Sequence, residues 1–334
     1  MFFKPEAYKS GDFENGEYLI MNKRILGKNG PELTVVGFGA WAIGGPWEFG
    51  WGPVDDEVSV KAIQRALDLG INWIDTAAVY GLGHSEEIVA KAIKGKRSEV
   101  FIATKCGMVW DENRKVRIHL GPSSIRKEIE NSLRRLNTDH VDLYQIHWPD
   151  PETPVEDSWA ALAKLKEEGK VRYIGVSNFD VPLLKKCMAI APVQSLQPIY
   201  NLLKRDVEKE ILPYCSENGI GVVAYSPMMS GLLTGKFDPK RLAPDDWRSK
   251  NPMYKEPVLS KEMAFIDKLR PITAKYGKTV GQLAIAWVNM SPAVTSSIVG
   301  ARNPQQVEEN VGADFKIGAD DMKKIEQALK ETLG

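Results

Sequence analysis

Short, almost uninterrupted runs of apolar and β-branched residues recur along the chain, and each is followed by a loop and a segment of helical period. Strands that are covered on both faces lack a polar alternation, so these runs predict a parallel sheet. The runs span residues 33–37, 71–75, 100–105, 141–147, 171–177, 193–197, 219–225 and 295–299.

The intervals between the runs carry the pattern of helices with one apolar face. Apolar residues recur at spacings of three and four, which places them on one side of a helix. They are Ile125, Ile129, Leu133 and Leu136 in one interval, Val155, Trp159, Leu162 and Leu165 in the next, and Val207, Ile211 and Cys215 later. Eight strands that each precede a helix predict an α/β fold, a (β/α)₈ barrel that forms a single domain over residues 1–334.

The chain is longer than a minimal (β/α)₈ barrel, and the extra residues predict three additions to the barrel. Residues 18–20 and 23–26 are expected to form an N-terminal β-hairpin that plugs the barrel floor. The interval 226–295 is far longer than the others and is expected to hold a large loop and an extra helix. Residues 319–329 predict a C-terminal helix.

The alternative architecture is an open, doubly wound sheet that binds a dinucleotide. It requires G-x-G-x-x-G directly after an early strand. The nearest segment is 37–45, GFGAWAIGG, in which the glycine spacing differs and a tryptophan occupies the turn. The barrel is therefore the favoured prediction.

The composition argues against a nucleic-acid-binding, a membrane-spanning and a secreted protein. The 334 residues carry 44 basic and 44 acidic side chains, and this zero net charge argues against nucleic acid as the main partner. No apolar stretch is long enough to span a membrane, and the first residues do not resemble a secretion signal. Three widely spaced cysteines without a C-x-x-C pair indicate reduced thiols, so we expect a cytoplasmic protein. The sequence does not specify an oligomeric state.

Four polar side chains occur where barrel enzymes place their chemistry, at or just after the carboxyl ends of strands. They are Asp75, Tyr80, Lys105 and His147. Taken singly, each has an ordinary structural explanation, such as a helix cap, a lysine that reaches solvent, or a buried histidine. Taken together, they form a set capable of proton transfer.

The chemistry of this set favours carbonyl reduction. A tyrosine pKa of about 10 is too high for efficient acid catalysis at neutral pH. An adjacent ammonium is expected to favour the phenolate, and a carboxylate would hold that ammonium in place. Tyr80, Lys105 and Asp75 would then protonate an oxygen whose carbon accepts hydride, while His147 orients the carbonyl. No metal is needed.

Longer motifs surround these residues, and through them the chain resembles the aldo-keto reductase superfamily over nearly its whole length, in particular the bacterial NADPH-dependent type. The matching segments are 70–81 (GINWIDTAAVYG), 103–106 (ATKC), 141–148 (VDLYQIHW), 169–179 (GKVRYIGVSNF), 224–227 (AYSP) and 231–236 (GLLTGK). The resemblance implies a barrel that reduces aldehydes and ketones to alcohols, with a catalytic tetrad of Asp75, Tyr80, Lys105 and His147 in which Tyr80 is the acid.

The resemblance also implies a site for NADPH (NADP⁺). Ser177, Asn178 and Gln197 would bind the nicotinamide carboxamide, and Tyr225 would stack on the ring. The phosphates and the adenosine end would be held by Ser226, Gly231, Lys236, Gly300, Arg302, Gln306, Glu309 and Asn310. Gln306 stands where many family members carry a second basic residue, so NADH is a possible alternative cofactor.

The substrate is expected to be a small carbonyl compound. Trp41, Trp110 and Trp148 fall in predicted strand-to-helix loops and are proposed to form the wall of its pocket, while Trp47 and Trp51 are expected to anchor loops. An aromatic wall favours aromatic or aliphatic carbonyls over sugars.

Two other functional classes fit the same residues. A redox-sensing regulatory subunit would keep the cofactor but show negligible turnover. A barrel lyase or isomerase would not bind nicotinamide at all. Turnover with a panel of aldehydes tests the first, and NADPH titration tests the second.

Overall fold

The computed structural model describes residues 21–242 and 246–334, in which eight strands close into a parallel barrel surrounded by helices. The strands are β1 (Lys23–Ile25), β2 (Glu32–Thr34), β3 (Val36–Gly39), β4 (Trp73–Asp75), β5 (Phe101–Cys106), β6 (Met108–Trp110), β7 (Val116–Ile118), β8 (Val141–Ile146), β9 (Val171–Ser177), β10 (Ser195–Gln197), β11 (Gly221–Tyr225) and β12 (Val294–Gly300). Around the barrel the order is β3, β4, β5, β8, β9, β10, β11 and β12, and β12 pairs with β3 to close it.

The helices lie between the barrel strands and after the last one. They are α1 (Asp56–Asp68), α2 (His84–Ala92), α3 (Pro122–Leu136), α4 (Val155–Glu167), α5 (Val181–Met188), α6 (Ile211–Asn218), α7 (Val258–Lys275), α8 (Val280–Met290), α9 (Pro304–Val311) and α10 (Ala319–Leu333). The apolar faces predicted for α3 and α4 are buried, as the periodicity requires. In the described part of the chain, no helix combines the length and apolar character that crossing a membrane would demand.

The (β/α)₈ barrel predicted from the apolar runs is confirmed, because each run contributes one barrel strand. The closed sheet excludes the open, doubly wound alternative. The additions are confirmed in outline. α7 is the extra helix of the long interval, and α10 is the C-terminal helix, which packs against α7.

The N-terminal hairpin exists, but its strands differ from the prediction. The proposed strand 18–20 lies outside the described residues. β1 pairs instead with β2, with Arg24 opposite Leu33, so the first apolar run is divided between the hairpin and the barrel. Leu33 is completely buried among the side chains that fill the barrel interior, which include Ala103 and Leu143. The hairpin therefore plugs the floor, as expected.

Trp73 explains why the first barrel strand contains a glycine at position 37. Its indole N–H donates to the carbonyl oxygen of Thr34 at 3.2 Å and to Ser296 Oγ at 3.1 Å, which fixes the ring across the lower barrel. A Cβ on Gly37 would lie 2.0 Å from that ring. Gly37 is therefore required for close packing of the barrel floor.

The helix predicted through Val207, Ile211 and Cys215 begins later than predicted. Val207 lies in a separate 3₁₀ turn, Asp206–Glu208, and α6 begins only at Ile211. Pro213 lacks a backbone N–H and fits only the first turn of a helix, so the helix has to begin just before it.

Candidate active site

The carboxyl ends of three barrel strands bring the predicted tetrad together. Asp75 ends β4, Lys105 lies near the end of β5, and His147 follows β8 directly. Tyr80 begins the 3₁₀ turn Tyr80–Gly83, which leads into α2. Since these strands are neighbours in the barrel, their ends meet at one mouth.

Lys105 is the centre of the tetrad's hydrogen bonds. Its Nζ donates to both carboxylate oxygens of Asp75, at 2.9 and 2.7 Å, and to the carbonyl oxygen of Thr76 at 2.9 Å. It also lies 3.2 Å from the hydroxyl of Tyr80. The side chain of Lys105 is fully buried, so these contacts replace the water that an ammonium otherwise needs.

Tyr80 lies between this buried pair and His147. Its ring meets the imidazole edge to face, with centroids 5.6 Å apart, and both side chains line the cavity. The arrangement places a phenol and an imidazole beside the same space, with an ammonium within hydrogen-bond distance of the phenol.

Burial is the largest influence on the pKa values of Tyr80 and His147, which both line the cavity. Burial, together with the negative charge of Asp75, raises the pKa of Tyr80 well above its ordinary value. Burial and the Lys105 ammonium lower the pKa of His147 well below its usual range. In the free site, burial and the charge of Asp75 therefore act against the phenolate that Lys105 was expected to favour. Both Tyr80 and His147 are neutral at neutral pH.

Burial also acts on the ion pair itself. It raises the pKa of Asp75, and the bonds from Lys105 and Gln197 oppose that shift. It lowers the pKa of Lys105, and the attraction of Asp75 opposes it. The pair persists because each partner offsets the desolvation of the other.

The residues expected at the nicotinamide form one hydrogen-bonded group beside the tetrad. Gln197 Nε2 donates to Asp75 Oδ1 at 2.8 Å, and the Ser177 hydroxyl donates to the backbone carbonyl of Gln197 at 2.8 Å. The Tyr225 hydroxyl donates to Asn178 Oδ1 at 3.0 Å. All four line the cavity, so the structure brings them together with the tetrad.

The residues expected at the phosphates and adenosine line the same cavity. They are Ser226, Gly231, Lys236, Gly300, Arg302, Gln306, Glu309 and Asn310. Asn303 caps α9 by accepting the Gln306 N–H at 2.9 Å, as its position in the sequence predicts. Lys236 Nζ is ion-paired with Glu309 at 3.0 Å, and both residues line the cavity.

Arg302 is held at the start of α9. Its Nη2 donates to the carbonyl oxygen of Pro53 at 2.9 Å, and its backbone N–H donates to Gln306 Oε1 at 2.8 Å. A guanidinium beside the first turn of a helix adds a full charge to the partial positive charge of the free N–H groups there. This end of the cavity suits a phosphate.

The cavity has a volume of about 830 Å³ and is walled by aromatic and methionine side chains beside Tyr80. Trp41 and Trp148 line it, whereas Trp110 is not among the described residues that do. Met108, two residues earlier on β6, lines it instead.

Other aromatic residues complete the wall, including two that the sequence assigned to loop anchoring. They are Trp47, Phe49, Trp51 and Trp247. The Trp47 ring lies 6.1 Å from that of Tyr80, and the Arg248 guanidinium stacks 4.1 Å from the Trp51 ring. These contacts join segments far apart in sequence, so local pattern gives no indication of them.

Comparison with known proteins agrees with this geometry. The model of the Aldo/keto reductase family matches residues 35–330. The chain is 40% identical over 320 residues to the aldo-keto reductase YhdN of Bacillus subtilis, covering 94% of this chain and 95% of that protein. It is 37% identical over 308 residues to the NADH-specific methylglyoxal reductase of Escherichia coli, covering 88% and 93%.

Solved structures give the same result. The glycerol dehydrogenase AKR11B4 from Gluconobacter oxydans is 41% identical, with a TM-score of 0.85 over 93% of this chain and 95% of that one. An aldo/keto reductase from Klebsiella pneumoniae in complex with NADP and acetate is 27% identical, with a TM-score of 0.70 over 91% and 94%. The chain therefore belongs to the aldo/keto reductase family and is an NAD(P)H-dependent oxidoreductase that reduces carbonyl groups.

Proposed function

We propose that this protein reduces small aldehydes and ketones to alcohols with NADPH as its preferred cofactor, and that Tyr80 donates the proton. One observation carries the assignment of roles. Tyr80 lines the cavity, and its hydroxyl lies 3.2 Å from the Nζ of a fully buried Lys105 that Asp75 holds by two bonds.

The protonation states fit reduction. Tyr80 keeps its proton because its pKa is raised, so it can donate to a carbonyl oxygen that gains negative charge. His147, kept neutral, can donate an N–H bond that orients the same oxygen. As the phenol loses its proton, the nearby Lys105 ammonium stabilises the phenolate. When bound, the nicotinamide supplies the hydride to the carbonyl carbon.

The cavity has donor and acceptor groups that fit this cofactor at both ends. Ser177, Asn178 and Gln197 offer the amide and hydroxyl groups that a carboxamide needs, and Tyr225 offers an aromatic face to a flat ring. At the other end, Ser226, Gly231, Lys236, Gly300, Glu309 and Asn310 are proposed to surround the phosphates and adenosine.

We propose Arg302 and the start of α9 as the contacts for a 2′-phosphate, which distinguishes NADPH from NADH. Because the residue beside Arg302 is the neutral Gln306, we propose that NADH also serves. The relatives support either cofactor, since one is named as NADH-specific and one structure holds NADP.

For the substrate we propose aromatic or aliphatic carbonyl compounds. Trp41 and Trp148 remain proposed wall residues, and we add Trp47 and Met108 in place of Trp110, because they line the cavity next to Tyr80. The substrate panel should also contain methylglyoxal and glyceraldehyde, since relatives are named for methylglyoxal and glycerol.

Replacing Tyr80 by phenylalanine tests the assignment. We expect kcat to fall by about 10² to 10⁴, because the hydroxyl is the acid. The affinity for NADPH, measured by its fluorescence, should stay unchanged. Tyr214→Phe, which removes a hydroxyl from α6, is the matched control and should behave like the wild type.

Two results would overturn the proposal. Equal losses of rate and cofactor affinity would mean that Tyr80 serves in binding. A wild-type protein that binds NADPH but reduces no member of the panel would favour the regulatory alternative.

We also propose that residues 1–334 form one domain and that the protein works in the cytoplasm. The barrel strands from β3 to β12 form one closed sheet, and the residues that line its cavity come from segments between Gly39 and Asn310. All three cysteines are free and buried, which suits a reducing compartment.

A further inference from the structure

A hairpin that is inserted between β5 and α3 forms part of the cavity wall. In this hairpin, residues 108–118, β6 pairs with β7. Met108 lines the cavity, and Met108 and Val116 pack in a cluster with Tyr80 and Trp47. At its tip, Arg114 Nη2 donates to the carbonyl oxygen of Pro46 at 3.2 Å. Any shift of the hairpin therefore changes the space beside the catalytic hydroxyl.

Gly107 is the first point at which this hairpin is attached to the barrel. It follows Cys106, the last residue of β5, and its φ of +92° turns the chain out of the strand. Its N–H donates to Glu128 Oε2 at 2.9 Å, and its carbonyl oxygen accepts the N–H of His119 at 2.9 Å. A side chain on α3 thus holds the exit from β5.

The second leg of the hairpin is attached independently. The N–H of Leu120 donates to Asp150 Oδ2 at 2.9 Å, and its carbonyl oxygen accepts the Ser158 hydroxyl at 2.9 Å. These bonds fix the return to α3, and the pairing of Met108 with Ile118 passes that restraint to β6. The bond from Gly107 to Glu128 holds the same leg at the point where it leaves β5.

Glu128 is itself held rigidly. It is 8% exposed, and its Oε1 accepts the Ser124 hydroxyl at 3.1 Å, one turn earlier on α3. The neighbouring guanidinium of Arg135 is ion-paired with Glu86 at 2.6 Å. Burying a carboxylate is costly unless its oxygens accept hydrogen bonds, and one of those bonds goes to Gly107.

We propose that Glu128 is a positioning residue for substrate binding, which fixes the hairpin and Met108 against the cavity through the N–H of Gly107. The proposal rests on the proposed function, because it takes the cavity to bind the carbonyl substrate. Glu128 is not among the described residues that line the cavity, and its hydrogen bonds go to Gly107 and Ser124 and not to the tetrad, so its loss should act on KM and leave kcat nearly unchanged.

The charge of Glu128 adds a pH dependence. Burial raises its pKa to about 7, while the bonds from Gly107 and Ser124 and the Arg135 charge act in the opposite direction. Glu86 on α2 also faces it and adds to the rise. Above pH 7 the carboxylate accepts the Gly107 N–H strongly, and below pH 7 the carboxylic acid accepts it weakly. KM should therefore increase as the pH falls through about 7.

Two further titratable groups face Glu128, from the strands against which α3 packs. Cys106 lies on β5 and Tyr144 on β8, and burial raises the pKa of both well above their ordinary values. Both are therefore neutral around pH 7 and do not titrate with Glu128.

Three variants test the proposal by steady-state kinetics across pH. Glu128→Ala should raise KM by about tenfold above pH 7, because the bond to Gly107 is lost. Glu128→Gln keeps a neutral acceptor of the same shape, so its KM should be raised slightly and show no step near pH 7. Glu130→Gln is the matched control, because Glu130 lies on the same helix as Glu128 and its partly exposed carboxylate pairs with Lys170 just before β9. It should match the wild type.

Hydrogen–deuterium exchange gives a readout that does not depend on activity. The amides of residues 107–110 should exchange faster in Glu128→Ala than in the wild type or Glu130→Gln. Unchanged exchange and KM in Glu128→Ala would overturn the proposal, and so would a loss confined to kcat. Faster exchange in a protein whose wild type reduces no carbonyl would support the role of Glu128 in fixing the hairpin and refute the proposed function alone.

Discussion

Lys105→Met gives the sharpest test of how the tetrad works. The methionine occupies similar volume but removes the ammonium that lies 3.2 Å from the Tyr80 hydroxyl. At an effective dielectric constant of about 20, opposite unit charges at this distance attract by about 5 kcal/mol. That attraction acts only once Tyr80 has become a phenolate, so it lowers the barrier without strengthening substrate binding. The negative charge of Asp75 offsets part of this attraction. We therefore expect the loss of the ammonium to lower kcat by about 10³.

The same substitution leaves Asp75 without its countercharge. This carboxylate is 2% exposed, and Gln197 Nε2 remains its donor at 2.8 Å. An unpaired buried charge destabilises a fold by about 3 to 5 kcal/mol. The pKa of Asp75, already raised by burial, should rise further. The folded state then retains a proton that the unfolded state releases near pH 4, so the variant should lose stability as the pH rises above about 4.

Urea denaturation at about pH 5 and about pH 8, with steady-state kinetics, separates the two effects. The double variant Lys105→Met/Asp75→Asn should recover stability at the higher pH while kcat stays low. A single variant that keeps kcat within about tenfold of the wild type would refute the electrostatic role of Lys105.

Two further predictions concern the cofactor and the pH profile. Arg302→Ala should weaken NADPH by about 10- to 100-fold, because a charge-assisted contact is lost, and NADH far less. Fluorescence titration with both cofactors measures this, and an equal loss would indicate that Arg302 acts through its bond to Pro53. The kcat for reduction should be flat from about pH 7 to about pH 9, because the lowered pKa of His147 and the raised pKa of Tyr80 lie outside this range. Alcohol oxidation needs the phenolate and should rise with pH, whereas a reduction kcat that breaks near the ordinary histidine pKa would contradict the neutral state assigned to His147.

The barrel could be predicted from the sequence because its strands are covered on both faces and therefore lack polar alternation. The proximity of Asp75, Tyr80, Lys105 and His147 could be predicted because these residues end strands or follow them closely. The sequence did not reveal that β2 is the hairpin partner of β1, because Leu33 of β2 continues the apolar run that leads into β3. Only the packing of Leu33 on the barrel interior shows that it belongs to the floor.

The substrate wall was harder to predict for a related reason. Met108 and Trp110 share one face of β6, so their alternation does not distinguish them. Met108 is nearest to Gly107, where the hairpin leaves the barrel, and it lines the cavity, while Trp110 lies farther out along the hairpin. Trp47 reaches Tyr80 from a loop more than 30 residues earlier, a contact that depends on the closed barrel.

The hydrogen bonds around Asp75 show which of the proposed cofactor residues can be studied separately from the chemistry. Gln197 donates to the carboxylate that holds Lys105, and Ser177 donates to the backbone of Gln197. A substitution at either position alters the environment of the ion pair as well as the proposed carboxamide site, so binding and rate will change together. Arg302 lies at the far end of the cavity and bonds to Pro53 and Gln306, outside this network. Cofactor affinity can therefore be changed at Arg302 while the proton-donating group keeps its geometry.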